Sequence, residues 1–297
     1  DLWVLGGEDP FFVWEEAFAV GNALNAQGIR QVRGDLVVAG RFYMNFSQDV
    51  ARSGALLRQG MDARLWPSEA QAQFQTLPPG TPRPQVEILG SVRVAQQIPS
   101  EAQVLLRHES PPLLHLLKLM NLYSNNAMAE MVANAVGGAA QVAQMARAAA
   151  GIPAEELHLI NGSGLGVENR ISPRANVAML RAIQSLLEEH GLSLADAFAV
   201  VGRDVGVLER RLLPGVMIAK SGTLRSVSTL AGVLPTERGD IWFAVMNGGA
   251  NLADLRAQQG QFLSRLQSQW GSPAALPERW LPRPVDTGSR TESSLRL

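Results

Sequence analysis

The chain is 297 residues long, carries a formal net charge of −1 and is 46% hydrophobic, enough apolar material to bury a core in one large unit or two smaller ones. Balanced charge without a basic run leaves out the attraction that drives nucleic-acid binding, and no apolar run approaches the roughly 18 residues of a membrane span. Cysteine is absent, which excludes disulfides, thiolate nucleophiles and cysteine-ligated metal; His108, His115, His158 and His190 lack metal-ligand spacing, so no histidine-held metal is expected, and no metal or organic cofactor is otherwise implied.

The opening DLWVLGGEDP reads as a strand running into a turn, and a start on Asp1 within apparent structure is what a processed or truncated chain would give. From Val13 to Gln27, Trp14, Phe18 and Leu24 recur at helical spacing up to a stop at Gly28, and QVRGDLVVAG then predicts another strand. Strand, helix, strand marks the opening as α/β. Phe42 to Gln75 gives a weaker, mostly helical signal, which LPPGTPRPQ breaks with four prolines and a glycine. VEILGSVRV is expected as a strand. Ser110 is expected to cap a helix carrying Pro111 and Pro112 in its first turn and running through LLHLLKLM until Asn121 to Asn126 interrupt it. AMAEMVANAV predicts the next helix, ended by Gly137 and Gly138. QVAQMARAAAG predicts a short helix, LHLI a strand and NGSGLGVENR a loop. Ser172 and Pro173 start a helix with Val177, Leu180, Ile183 and Leu187 on one side and Gly191 as its stop. STLAGVL and IWFAVMNG, joined by PTERGD, predict an antiparallel hairpin. A final helix is expected from about Asn251 to Trp270, with residues 272–297 as a flexible tail.

Three short constellations lie in order: YSNN at 123–126, NGSGL at 161–165 and KSGT at 220–223. Each is weak alone. Ser124 and Asn126 stand at a helix entry, where such side chains are favoured simply as caps. NGSGL has neither the third-glycine spacing of a dinucleotide fingerprint nor the glycines of a nucleophile elbow, and reads as a tight turn. For KSGT the plain alternative is a surface strand with one charge. Against it, the chain has 24 arginines and 2 lysines, so Lys220 hints that a compact ammonium is needed rather than any positive charge. Gly222 inside a strand also marks close approach by a ligand or another backbone.

Order and spacing together are far more specific. Ser-x-Asn between helices, followed roughly a hundred residues later by Lys-Ser/Thr-Gly on an antiparallel strand, is the second and third part of the active-site set in penicillin-binding proteins and serine β-lactamases. SPPLLHLLKLMNLYSNNAMAEM, NGSGLGVENRISPRA, VVGRDVGVLERRL and AKSGTLRSVSTLAGVL resemble the D-alanyl-D-alanine carboxypeptidase/endopeptidase family of the penicillin-binding protein 4 type, as do DLWVLGGEDP and GIRQVRGDLVVAG. The resemblance covers about residues 1–40 and 85–270.

It implies an α/β (α+β) fold: a β-lactamase/transpeptidase-like antiparallel sheet flanked by helices, with part of a second, smaller α/β domain. Residues 1–110 would hold a partial transpeptidase strand and an abbreviated accessory domain, with 41–84 unmatched, and 111–271 the carboxyl-terminal part of the catalytic domain. By the same resemblance, Lys220 places charge beside the substrate's terminal carboxylate, and the hydroxyls of Ser221 and Thr223 hydrogen-bond it. The Thr223 N–H, following Gly222, forms half of an oxyanion hole. Ser124 relays a proton to the leaving nitrogen, and Asn126 holds the acyl-side carbonyl. Implied ligands are peptidoglycan stem peptides ending in D-Ala-D-Ala and β-lactam antibiotics, in an extracytoplasmic compartment. Two departures are Asn161 for the family's Asp and Ser221 for its Thr. A larger one is the family's Ser-x-x-Lys nucleophile pair: His115 stands three residues before Lys118 and Met217 three before Lys220, so these 297 residues alone are expected not to turn over substrate. A non-catalytic peptidoglycan or penicillin binder, and a β-lactamase or esterase on the same scaffold, are the alternatives.

Overall fold

A computed structural model describes residues 1–284. They form two units, with the second beginning at Pro112. In the first, β1 (Leu2–Gly7) leads into α1 (Trp14–Ala26), then β2 (Gln31–Val32) and β3 (Leu36–Arg41). Two helices, α2 (Val50–Gly60) and α3 (Ser68–Phe74), precede β4 (Glu87–Ile88) and β5 (Val92–Ala95). β1, β3 and β5 pair in parallel in that order, and β2 pairs in parallel with β4. A parallel pair needs a long crossover, and α1 supplies it between β1 and β3. The expected transpeptidase strand at the amino end is therefore corrected: β1 belongs to this parallel sheet. The single strand expected over VEILGSVRV is corrected too, because it splits into β4 and β5 on different sheets. The break lies at Gly90, where a Cβ would stand 2.5 Å from the Gly34 carbonyl oxygen. The core of this unit gathers Phe18, Leu24, Leu36, Val38, Met44, Leu57, Met61 and Trp66.

The second unit opens with α4 (Leu113–Tyr123), α5 (Asn126–Ala135) and α6 (Ala139–Ala150). Pro112, not Ser110, occupies the cap position of α4. Each residue before a proline is pushed out of the helical region, so Ser110 and Pro111 are both excluded and the helix starts after the second proline. Next, β6 (Leu157–His158) pairs with β7 (Arg170–Ile171) across the NGSGL turn; the strand expected over LHLI is only two residues long. α7 (Pro173–Glu189) has Ser172 as its cap, its side chain accepting from the Ala175 N–H. It is followed by α8 (Leu194–Ala197), β8 (Ala199–Val200), β9 (Ile218–Leu224), β10 (Val227–Thr236), β11 (Gly239–Gly248) and α9 (Leu252–Trp270). β11, β10, β9 and β8 form one antiparallel sheet in that order.

Alternation along these strands gives the sheet two apolar faces. Met217, Ala219, Leu230 and Phe243 pack with Leu263 of α9, whereas Ile218, Val233 and Trp242 pack with Ile183 and Leu187 of α7. The sheet is thus covered by a helix on each side. The loose tail expected from 272 is corrected as far as 284. Trp280 is buried against Trp242, Arg279 pairs with Asp240 at 2.7 Å, and the Arg283 N–H donates to Asp196 at 2.6 Å. Burying an indole takes a large apolar area out of water, which opposes the entropy lost by ordering the chain there. The rest of the expected tail, 285–297, lies outside the described residues.

Candidate active site

Between α4 and α5 the chain turns on two residues. Ser124 ends α4 in the left-handed conformation, φ 51° and ψ 48°, and Asn125 is extended. Asn125 is the cap of α5, its side-chain oxygen accepting from the Met128 N–H at 3.0 Å. The capping role that accounts for Ser and Asn at a helix entry is therefore filled by Asn125, and neither Ser124 nor Asn126 is used for it. A non-glycine residue in the left-handed region costs about 1–2 kcal/mol. Such a cost is retained where a side chain must point in one direction. Here the Ser124 Oγ points at Lys220, whose Nζ donates to it at 2.7 Å across 96 residues of sequence.

β9 delivers Lys220, Ser221, Gly222 and Thr223. It pairs with β10 along its whole length but with β8 only at Ile218 and Ala219. The edge from Lys220 to Leu224 is consequently unpaired by any described strand, which leaves its backbone groups available to an extended ligand. The Lys220 ammonium is largely buried and makes its second hydrogen bond to the Ser221 carbonyl at 2.7 Å. Burial pushes its pKa down from the ordinary 10.5 to about 8. The close neighbour of Gly222 is neither a ligand nor a backbone: a Cβ there would stand 2.5 Å from the Thr229 hydroxyl on β10.

These residues share one cleft of about 1050 Å³, lined among others by Ser124, Asn126, Ser163, Lys220, Ser221, Gly222 and Thr223. Every expected site residue is therefore on its wall. The NGSGL turn forms the opposite rim. Glu130 of α5 accepts from the backbone N–H groups of Gly162 and Ser163 at 3.0 and 2.9 Å, and Asn161 accepts from Gly164 at 2.9 Å. Burial opposes ionisation of Glu130, but hydrogen bonds from Ser163 and Gly162 outweigh it and hold the carboxyl below its usual range. A side chain at 162 would meet the Ala133 methyl at 2.3 Å, which is why a glycine stands there.

α4 is anchored from beneath. The Lys118 Nζ donates to the carbonyls of Ala195 and Phe198 at 2.8 and 2.5 Å and to Asp204 at 2.5 Å, and Asn121 donates to the Ala197 carbonyl at 2.9 Å. Sequence reasoning missed this role of Lys118. It also missed Arg211 and Arg256, which line the cleft beside Thr223; among 24 arginines, nothing in their local spacing marks them.

Comparison with known proteins gives a consistent result. The chain is 30% identical over 191 residues to the D-alanyl-D-alanine carboxypeptidase DacB of Haemophilus influenzae, an alignment covering 58% of this chain and 39% of that protein. It is 27% identical over 215 residues to the D-alanyl-D-alanine carboxypeptidase of an Actinomadura species, covering 65% of this chain and 39% of that protein. The chain thus spans about two fifths of the length of these curated relatives. Two solved structures share its fold. The Bd0816 predatory endopeptidase of Bdellovibrio bacteriovorus matches with a TM-score of 0.78 at 20% identity, over 96% of this chain and 82% of that one. Penicillin-binding protein 4 of Haemophilus influenzae matches with a TM-score of 0.61 at 19% identity, over 91% and 82%. The D-Ala-D-Ala carboxypeptidase 3 (S13) family model matches residues 83–269, a span that holds all three parts of the cleft, and the chain belongs to that family.

Proposed function

We propose that this chain forms the Ser-x-Asn and Lys-Ser-Gly walls of the active site of a serine-type D-alanyl-D-alanine carboxypeptidase, with endopeptidase action on crosslinks as a further capacity. Its substrates are peptidoglycan stem peptides, β-lactams are its inhibitors, and it works outside the cytoplasm. The observation that carries the reading is the 2.7 Å hydrogen bond from Lys220 to Ser124, which joins two motifs 96 residues apart.

The chemistry follows from placement. An extended peptide adds along the open edge of β9, with the Thr223 N–H donating to the scissile carbonyl where negative charge develops. Asn126, not used as a cap, donates from its carboxamide to the acyl-side carbonyl. Ser124 exchanges a proton with Lys220, whose pKa of about 8 lies close enough to neutrality for transfer in either direction. Ser124 then passes a proton to the leaving nitrogen. Ser221 and Thr223 donate hydroxyl hydrogen bonds to the carboxylate of the leaving residue. The attacking serine and its base are a Ser-x-x-Lys pair, which these residues do not contain.

That absence favours a second reading, a non-catalytic binder of the same peptides. Labelled benzylpenicillin separates the two. The product of the complete reading frame is expected to form a stable covalent adduct on a Ser-x-x-Lys serine, and the 297 residues alone to form none. No adduct on the former leaves the binder, and an adduct on the 297-residue chain places the nucleophile among its own serines.

A further inference from the structure

Two guanidinium groups stand at the Thr223 end of the cleft without a carboxylate partner. Arg256, in the second turn of α9, is exposed and donates its Nη2 to the Thr223 hydroxyl at 3.1 Å. Arg211 lies partly buried behind it, with its Nη2 bonded to the Gln259 side-chain oxygen. Its Nε and Nη1 are closed off from solvent and have no acceptor. Among the described residues neither arginine joins an ion pair; what sets Arg211 apart is the burial of its two open donors.

An unpaired buried donor on a charged group is expensive, and a second cation nearby adds to the cost. The cost is built in rather than accidental. Gln259 is buried, and its amide donates to the Ser228 carbonyl at 2.9 Å and to Asn247 at 2.8 Å. Its orientation is therefore set, and its oxygen must face Arg211. Two of the three donors of the Lys220 ammonium are already engaged, by Ser124 and the Ser221 carbonyl.

We propose that Arg256, with the unscreened charge of Arg211 behind it, forms the anion subsite of the cleft and takes the carboxylate carried by the leaving residue of a peptide. The Thr223 hydroxyl, which accepts from Arg256, lies beside it. Arg256 contacts the anion; Arg211 acts through its field, strengthened because burial removes the water that would screen it. This inference rests on the reading of the cleft as a peptide site, and it moves the charge recognition expected of Lys220 to the two arginines.

The test is a titration of the chain with N-acetyl-D-Ala-D-Ala and with its carboxyl-terminal amide, followed by chemical-shift changes. The free acid is expected to bind about 10- to 100-fold tighter than the amide, the range of one or two charge-assisted hydrogen bonds. R256Q and R211Q should each pull that ratio towards one while leaving the affinity for the amide unchanged. Arg256 is exposed, so a loss in R256Q is not a folding defect, and thermal melts check R211Q. An acid preference that survives both variants, or that only K220M removes, overturns the arginine subsite while leaving the peptide site intact. Failure of both peptides to bind the unmodified chain overturns the subsite and the peptide site together.

Discussion

Replacing Lys220 by methionine lowers the rate of acylation by labelled penicillin about 10²–10³-fold in the product of the complete reading frame, the size expected when one donor of a preorganised, water-poor site is removed. The same substitution leaves stability unchanged or slightly raised. Burial works against the Lys220 charge, so deleting the ammonium removes a penalty, and methionine keeps most of the volume. A group that hampers folding and is nevertheless present marks a site kept for its chemistry. Adduct formation timed on a gel, beside a thermal melt, checks both halves. Equal losses of rate and stability would make Lys220 a structural residue.

Asp204→Ala produces the largest stability change. Its carboxylate accepts from the Lys118 ammonium at 2.5 Å and from the Val200 N–H at 2.8 Å, and both charged side chains are largely buried. Burial already pushes the Lys118 pKa down, with Asp204 opposing that shift. Removing the carboxylate strands an ammonium in a desolvated pocket, which costs about 3 kcal/mol when a buried pair is broken from one side. Converting Lys118 to methionine in the same chain should recover part of the loss, because the stranded charge goes with it. A double variant less stable than Asp204→Ala alone would show that the pair is not what holds α4 in place.

Much of this architecture was legible in the sequence, for reasons that can be named residue by residue. The hairpin of β10 and β11 shows as two apolar runs around PTERGD, and α7 shows because Ser172, Pro173 and Gly191 punctuate a clean helical period. Ser124, Asn126, Lys220, Ser221, Gly222 and Thr223 were placed by motif order alone, and all line one cleft. What escaped depends on contacts between distant residues. The capping rule assigned Ser110 to α4 without the steric veto of two successive prolines. Composition made 272–284 a loose tail, although Trp280 is buried beside α7 and Arg279 and the Arg283 N–H find partners in Asp240 and Asp196. That Nε and Nη1 of Arg211 have no acceptor was invisible, since a missing acceptor is a property of the folded surroundings and not of neighbouring letters.

The central claim is that Lys220 is a desolvated ammonium held against Ser124 rather than a solvated charge on a strand. With two lysines in the chain, a protein labelled with nitrogen-15 at lysine side chains gives two Nζ titrations, assigned by the K220M variant. Lys220 is expected to titrate at about 8. Its pKa is lowered on folding, so between about 8 and the unfolded value of 10.5 the unfolded chain binds more protons, and its contribution makes stability rise with pH across that window. Below it the burial penalty is complete and constant. A midpoint near 8, with that rise lost in K220M, supports the site. A midpoint near 10.5 would put the ammonium in water, away from Ser124, and contradict it.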